Sequence, residues 1–79
     1  MNRVTVYTRA ACSLCVAAEA DVGRICAELR VGWDTVDVDT DPELRAEYGD
    51  RVPVIMVDGR EHGFWRVEEP RLRRALDPS

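Results

Sequence analysis

Cys12-Ser13-Leu14-Cys15 puts two thiols three positions apart, between a strand-like run, Arg3 to Thr8, and a helix-like run. A thiol at a helix start faces backbone N–H groups with no partner inside the helix, and the positive end of the helix dipole. Both favour thiolate over thiol, so the sulfur becomes a stronger nucleophile near neutral pH. A second cysteine one turn on can attack a mixed disulfide on the first and release the product. The spacing therefore points to dithiol–disulfide exchange, with Cys12 as nucleophile and Cys15 as resolving thiol. Cys15 falls on the apolar stripe of the following helix, which predicts the low exposure that a second-step thiol needs.

Zinc is the main competing use of such a pair. Structural zinc takes four ligands, and only Cys26 and His62 remain as further cysteine or histidine. Cys26 is eleven residues beyond Cys15, about 16 Å along one helix. One ion cannot span that distance, so no metal is expected. Cys26 reads as a buried core cysteine and His62 as an exposed hairpin histidine. Asp37, Asp39 and Asp41 cluster in sequence but lack the glycine turn and distant glutamate of a calcium loop. They read as caps and solvated loop.

The elements that must position the thiols follow from periodicity. Arg3 to Thr8 alternates and is β-branched, as a strand requires. From about Ser13 to Arg30, apolar Cys15, Ala18, Val22, Ile25, Cys26 and Leu29 recur at helical spacing, and Val31-Gly32 stops the run. Trp33 to Val38 alternates again. Thr40-Asp41-Pro42-Glu43 is a helix-start signal: a capping residue, a first-turn proline, and glutamate three after the threonine. A short helix follows, ended by Gly49. Val54 to Val57 is a continuous apolar run, as in a strand buried on both faces. Asp58-Gly59 predicts a hairpin returning through Arg60 to Trp65. Glu68 to Leu76 closes the chain as a helix, with Leu72, Ala75 and Leu76 apolar. In the order β-α-β-α-β-β-α, the first two strands are parallel across their helical crossover and the last two antiparallel.

Composition narrows the function classes. A length of 79 residues bounds one small domain, spanning 1–79, near the size where a single core is marginal. The net charge of −4 with interleaved signs argues against nucleic acid as a partner. The basic group Arg71, Arg73 and Arg74 opposes a helix-end dipole. No apolar run approaches a membrane span, so no membrane partner is expected. The strand pattern begins almost at Met1, so no signal peptide is expected and the location is read as cytoplasmic. There, paired cysteines are more often catalytic or metal-binding than structural.

Val4-Thr5-Val6-Tyr7-Thr8-Arg9-Ala10-Ala11-Cys12-Ser13-Leu14-Cys15 resembles the opening of glutaredoxins and of the glutaredoxin-like hydrogen donors of ribonucleotide reductase. Both have a Val/Tyr/Thr strand, a basic residue three before the first cysteine, and CxxC. Arg51-Val52-Pro53-Val54 resembles the family's Val-Pro segment, whose proline peptide bond is cis. Asp37-Val38-Asp39 with Asp41-Pro42-Glu43 resembles the join between its second strand and second helix. The resemblance covers essentially the whole chain.

It implies an α/β thioredoxin fold in minimal glutaredoxin form, a four-stranded mixed sheet flanked by three helices. It implies a thiol–disulfide oxidoreductase with no bound cofactor, restored by an external reductant: thioredoxin reductase, glutathione or another low-molecular-weight thiol. The substrate would be a disulfide-containing protein or small molecule, and the chain a monomer. The alternative is a redox-inactive peptide-binding or adaptor module that keeps the fold. Val52 beside a cis Pro53 would pair its backbone with an extended substrate chain, a form of strand addition. Arg9 and Arg51 would flank the site, favour thiolate and attract a carboxylate; ordinary solvated arginine is an equal reading of both. Ser13 and Leu14, between the cysteines, complete the substrate-binding set with Trp65. Phe64 and Trp65 are nonetheless expected first in the core, because so small a domain needs its large apolar groups; a substrate-facing wall is their other reading.

The chain also departs from the family. Glutathione-using members usually carry a Gly-Gly pair before the last helix, where this chain has His62-Gly63-Phe64-Trp65-Arg66-Val67-Glu68-Glu69, with one glycine and two large aromatics. Many have Thr before Val-Pro, where Arg51 stands, and Pro-Tyr between the cysteines, where Ser13-Leu14 stands. These changes count against glutathione and leave dithiol exchange intact.

Overall fold

The computed structural model describes residues 2–77; Met1, Pro78 and Ser79, the ends of the expected 1–79 span, lie outside them. In chain order the elements are β1 (Val4–Thr8), α1 (Ser13–Leu29), β2 (Trp33–Asp37), a 3₁₀ turn (Val38–Thr40), α2 (Pro42–Tyr48), β3 (Val54–Val57), β4 (Arg60–Phe64) and α3 (Glu69–Leu76). The sheet order is β2-β1-β3-β4. β1 runs parallel to β2 and antiparallel to β3, and β3 runs antiparallel to β4. This is the mixed sheet with three helices that the resemblance implies.

Each element has a local cause. In β1, Val4 and Val6 point into the core, as a period of two requires. α1 buries Cys15, Ala18, Val22, Ile25 and Cys26, one stripe at helical spacing. That helix ends one residue earlier than expected. Arg30 adopts the left-handed conformation at φ 58°, and Val31 N–H donates to the Cys26 carbonyl at 2.9 Å, the six-to-one bond of a Schellman ending. Gly32 serves the sheet instead, its carbonyl accepting from the Arg3 amide at 3.1 Å.

Beyond β2, Val38 leaves the strand, begins the 3₁₀ turn and is fully buried. Asp41 caps α2, not Thr40: its carboxylate accepts from the Glu43 amide at 2.9 Å. Thr40 Oγ1 instead donates to the Asp37 carbonyl at 2.7 Å. Asp58 and Gly59 have φ of 52° and 81°, both positive, as a two-residue type I′ hairpin demands. The Asp58 carboxylate takes two hydrogen bonds from Arg3, at 2.9 and 2.8 Å.

Two expectations about the second half are corrected. β4 holds one extra residue: Gly63 pairs with Ile55 and Glu61 with Met56, so His62 is the bulge. His62 is therefore half-buried rather than exposed, and its Nε2 is buried with no hydrogen-bond partner. Burial, with Arg71 close by, holds its pKa below the ordinary imidazole range. Phe64 and Trp65 are outside the core, 41% and 54% exposed, and pack edge-to-face on each other at 5.0 Å. In α3 the buried residues are Leu72 and Leu76, while Ala75 faces solvent.

The core lies between α1, α3 and the sheet, through Val22, Ile25, Ile55, Leu72 and Leu76. At its rim Glu69 accepts from Arg24 at 2.8 Å and from Arg73 at 2.9 Å. Arg73 also pairs with Glu28. These contacts clamp α3 to the helix that carries both cysteines.

Candidate active site

Cys12 is itself the N-cap of α1, with extended backbone (φ −109°, ψ 103°). The preceding Ala11 is left-handed at φ 56°, which turns the chain sharply from the end of β1 into the helix. The Cys12 carbonyl accepts from the Val16 amide at 3.2 Å, opening the helical ladder. Its sulfur accepts from the Cys15 amide at 3.1 Å. A cysteine thus stands where Ser or Asp commonly caps. The orphan amide that such a residue would satisfy is aimed at sulfur, a charge-favouring arrangement for a thiolate.

The two sulfurs are joined as a disulfide, with Cα atoms 5.2 Å apart. Their surroundings differ. Cys15 is 1% exposed, held on the buried stripe of α1, whereas Cys12 is half-buried and lines an open groove. Leu14, which lines that groove, is 53% exposed, and Val16, one turn along α1, is 67% exposed. Cys26 is fully buried in the core, where burial pushes its thiol pKa up; it is remote from the pair along the same helix.

The groove brings together part of the expected set. Arg9, Ser13, Leu14 and Val52 line it with Cys12. Asp39 and Gly49 line it too. Arg9 does not present a free guanidinium: Nε donates to Asp39 Oδ2 at 3.2 Å, Nη2 pairs with Asp39 Oδ1 at 3.2 Å, and Nη1 donates to the Gly49 carbonyl at 3.4 Å.

Three expected residues are elsewhere. Arg51 does not line the groove: it pairs with Glu61 at 3.0 Å, donates to the Glu47 carbonyl at 2.9 Å, and lies over the Tyr48 ring. Its guanidinium braces α2 against β4. Pro53 is buried below the groove, joined to Val52 by a cis peptide bond. Trp65 lines a separate hollow with Phe64, Arg66 and Arg71. Its backbone N–H donates to the Pro53 carbonyl at 2.8 Å, next to Val52 of the groove. Trp65 also has a positive φ of 72°, a conformation glycine adopts without cost.

Asp39 was not among the expected site residues. Read along the chain it is one acid in an Asp-rich turn, thirty positions from Arg9. Only the parallel pairing of β1 and β2, which ends at Thr8 and Asp37, carries the two onto one rim.

Comparison with known proteins agrees with the geometry. A model of the family described as Glutaredoxin-like domain (DUF836) matches residues 3–77. Uncharacterized proteins of Mycobacterium tuberculosis and Mycobacterium bovis are each 45% identical over 76 residues, covering 90% of this chain and 78% of theirs. A structural-genomics protein from X. campestris, solved by X-ray diffraction, is 38% identical with a TM-score of 0.73, over 96% of this chain and 97% of that one. Glutaredoxin C1 of Populus tremula x tremuloides superposes with a TM-score of 0.59 at 17% identity, over 95% of this chain and 83% of that one. At that identity the likeness speaks for the thioredoxin fold alone. With the cysteine pair at the first strand-to-helix junction, a cis Val52-Pro53 bond and a family match from end to end of the described fold, the chain belongs to the glutaredoxin-like domain family.

Proposed function

We propose that this protein is a cytoplasmic thiol–disulfide oxidoreductase that reduces disulfides through Cys12 and Cys15. The Cys12 thiolate attacks one sulfur of a substrate disulfide, and the other sulfur leaves as a thiolate and takes up a proton. Cys15 loses its proton and attacks the Cys12 sulfur of the mixed disulfide. The second substrate thiol departs, and two electrons have passed from the protein, left as the Cys12–Cys15 disulfide. An external reductant restores the dithiol. One observation carries the reading: Cys12 is the reachable N-cap of α1, while Cys15 is buried within disulfide distance of it.

The donor forms a second part of the proposal. Trp65 occupies a left-handed position and leaves a large exposed ring, in the stretch where glutathione-using relatives carry small residues. A bulky group at such a place discriminates by obstruction as effectively as a missing contact. Glutathione therefore couples weakly, and a thioredoxin-reductase-like protein or another thiol serves better.

The test offers the oxidised protein each donor separately and counts regenerated thiols, then follows reduction of a small disulfide and of a protein disulfide. Turnover with the reductase or a non-glutathione thiol is the expected result. Efficient turnover with glutathione alone overturns the donor assignment. Failure to reduce any disulfide with the fold intact favours a peptide-binding adaptor instead.

A further inference from the structure

Arg9 and Asp39 are the charged residues lining the Cys12 groove. Each nitrogen of the Arg9 guanidinium is engaged, two by the Asp39 carboxylate and one by the Gly49 carbonyl. The lining thus carries one positive and one negative charge, already joined. Asp39 itself is held by its backbone: its amide donates to the Asp37 carboxylate at 2.9 Å, which fixes the turn and leaves the Asp39 carboxylate to face Arg9. The rest of the lining is uncharged and includes the exposed Leu14.

We propose that Asp39 is a specificity-determining residue: by occupying Arg9 in the groove lining, it withdraws the site's cation from carboxylates, so that Cys12 reacts with uncharged, apolar partners in preference to carboxylate-bearing ones. The inference rests on Cys12 being the reacting thiol and adds which substrates reach it. A free guanidinium holds a carboxylate with two parallel hydrogen bonds. With Nε bonded to Asp39, Nη2 paired with it and Nη1 given to Gly49, an incoming carboxylate must displace Asp39 or approach the remaining N–H groups against its charge, and like-charge contact is a standard means of rejecting partners. The pair is 39% and 34% exposed, and solvent screens it. Exposed pairs of this kind change an equilibrium by up to about fivefold, so a bias of that size is expected rather than absolute exclusion.

The experiment compares alkylation of Cys12 in the reduced protein by iodoacetate, which carries a carboxylate, and by iodoacetamide, its neutral counterpart. Peptide mass mapping reads the rate at Cys12 alone. Taking the ratio of the two rates cancels the thiolate fraction, so a change in thiol pKa does not move it. Asp39→Asn and Asp39→Ala should each raise the iodoacetate-to-iodoacetamide ratio by about two- to fivefold, with circular dichroism unchanged. In an Arg9→Gln background the same substitutions should raise it less than half as much, because no guanidinium is released. An unchanged ratio in both Asp39 variants overturns the inference. So does an equal rise in the two backgrounds, which would mean mere removal of a negative charge. If neither reagent modifies Cys12, the assignment of Cys12 as nucleophile fails, and the inference falls with it.

Discussion

The backbone amide of Cys15 points at the sulfur of Cys12 from 3.1 Å away, within one turn of α1. One residue thus contributes its buried thiol to the pair and its N–H to the electrostatics of the half-buried partner. In the reduced protein that N–H, with the other unpaired amides of the first turn, stabilises negative charge on Cys12.

A depressed Cys12 thiol pKa follows. The rate of Cys12 alkylation against pH should have its midpoint below the model thiol value of about 8.5, while Cys15, covered by the helix and its neighbours, reacts slowly throughout the neutral range. Faster alkylation of Cys15 would reverse the roles.

Trp65→Gly separates conformation from chemistry. A left-handed non-glycine residue costs about 1 kcal/mol, which glycine relieves. Glycine in turn raises the entropy lost on folding by about 0.5–1 kcal/mol, and the edge-to-face contact with Phe64 is lost. These effects nearly cancel, so the folding free energy should move by less than about 1 kcal/mol, while glutathione-coupled turnover rises. Denaturant titration and steady-state reduction with glutathione as donor check both halves. Unchanged coupling in a folded variant would remove Trp65 from the account of donor choice.

Acid stability should report on Glu69. Hydrogen bonds from Arg24, then Arg73, lower its pKa from 4.5 to about 2. A carboxylate with a depressed folded-state pKa adds stability above its unfolded value, and that stability is lost as pH falls through the folded value. The window is therefore from about 4.5 down to about 2. Glu69→Gln should be less stable than the native protein at pH 6, and the gap should close as pH approaches 2. A gap that is constant across that range would show that the ion pairs linking α1 and α3 do not act through the Glu69 charge.

Cys26 is a packing residue with a raised pKa. It should resist alkylation in the folded protein at neutral pH and react at once on unfolding. Cys26→Ser buries a hydroxyl among apolar neighbours and should cost about 1–3 kcal/mol, read from denaturant midpoints. Rapid labelling of native Cys26 would place it nearer the surface than its packing allows.

Much of the fold was legible because its signals are local. The apolar stripe of α1, the β-branched β1 and the Asp58-Gly59 turn each depend on residues within one element, and each formed within a residue or two of where spacing put it. Errors arose where a neighbour in sequence competed for the same role. Thr40 and Asp41 can both cap, and the proline at 42 favours the residue directly before it. Arg30 and Gly32 can both end α1, and the Schellman bond chose the earlier one. The placement of β3 beside β1 was not legible, since antiparallel pairing at that distance leaves no local trace. Nor was the bulge at His62, which depends on register across two strands. In the site, Cys12, Arg9 and Val52 line one groove, and Cys15 is bonded to Cys12 from the buried side of α1. Arg51 and Trp65 were drawn away by Glu61 and by the turn before α3, and Asp39 came in through tertiary pairing alone.

The most direct test of the central claim is trapping. A Cys15→Ser variant, reduced and offered a small-molecule disulfide, can complete the first attack but cannot resolve it within the pair. Intact-mass and peptide-mapping spectrometry should find the substrate half attached to Cys12, stable until an external thiol is added. Cys12→Ser should form no adduct under the same conditions. An adduct on Cys15 in the Cys12→Ser protein, with none on Cys12 in the Cys15→Ser protein, would contradict the assignment of nucleophile and resolving thiol on which the proposed function stands.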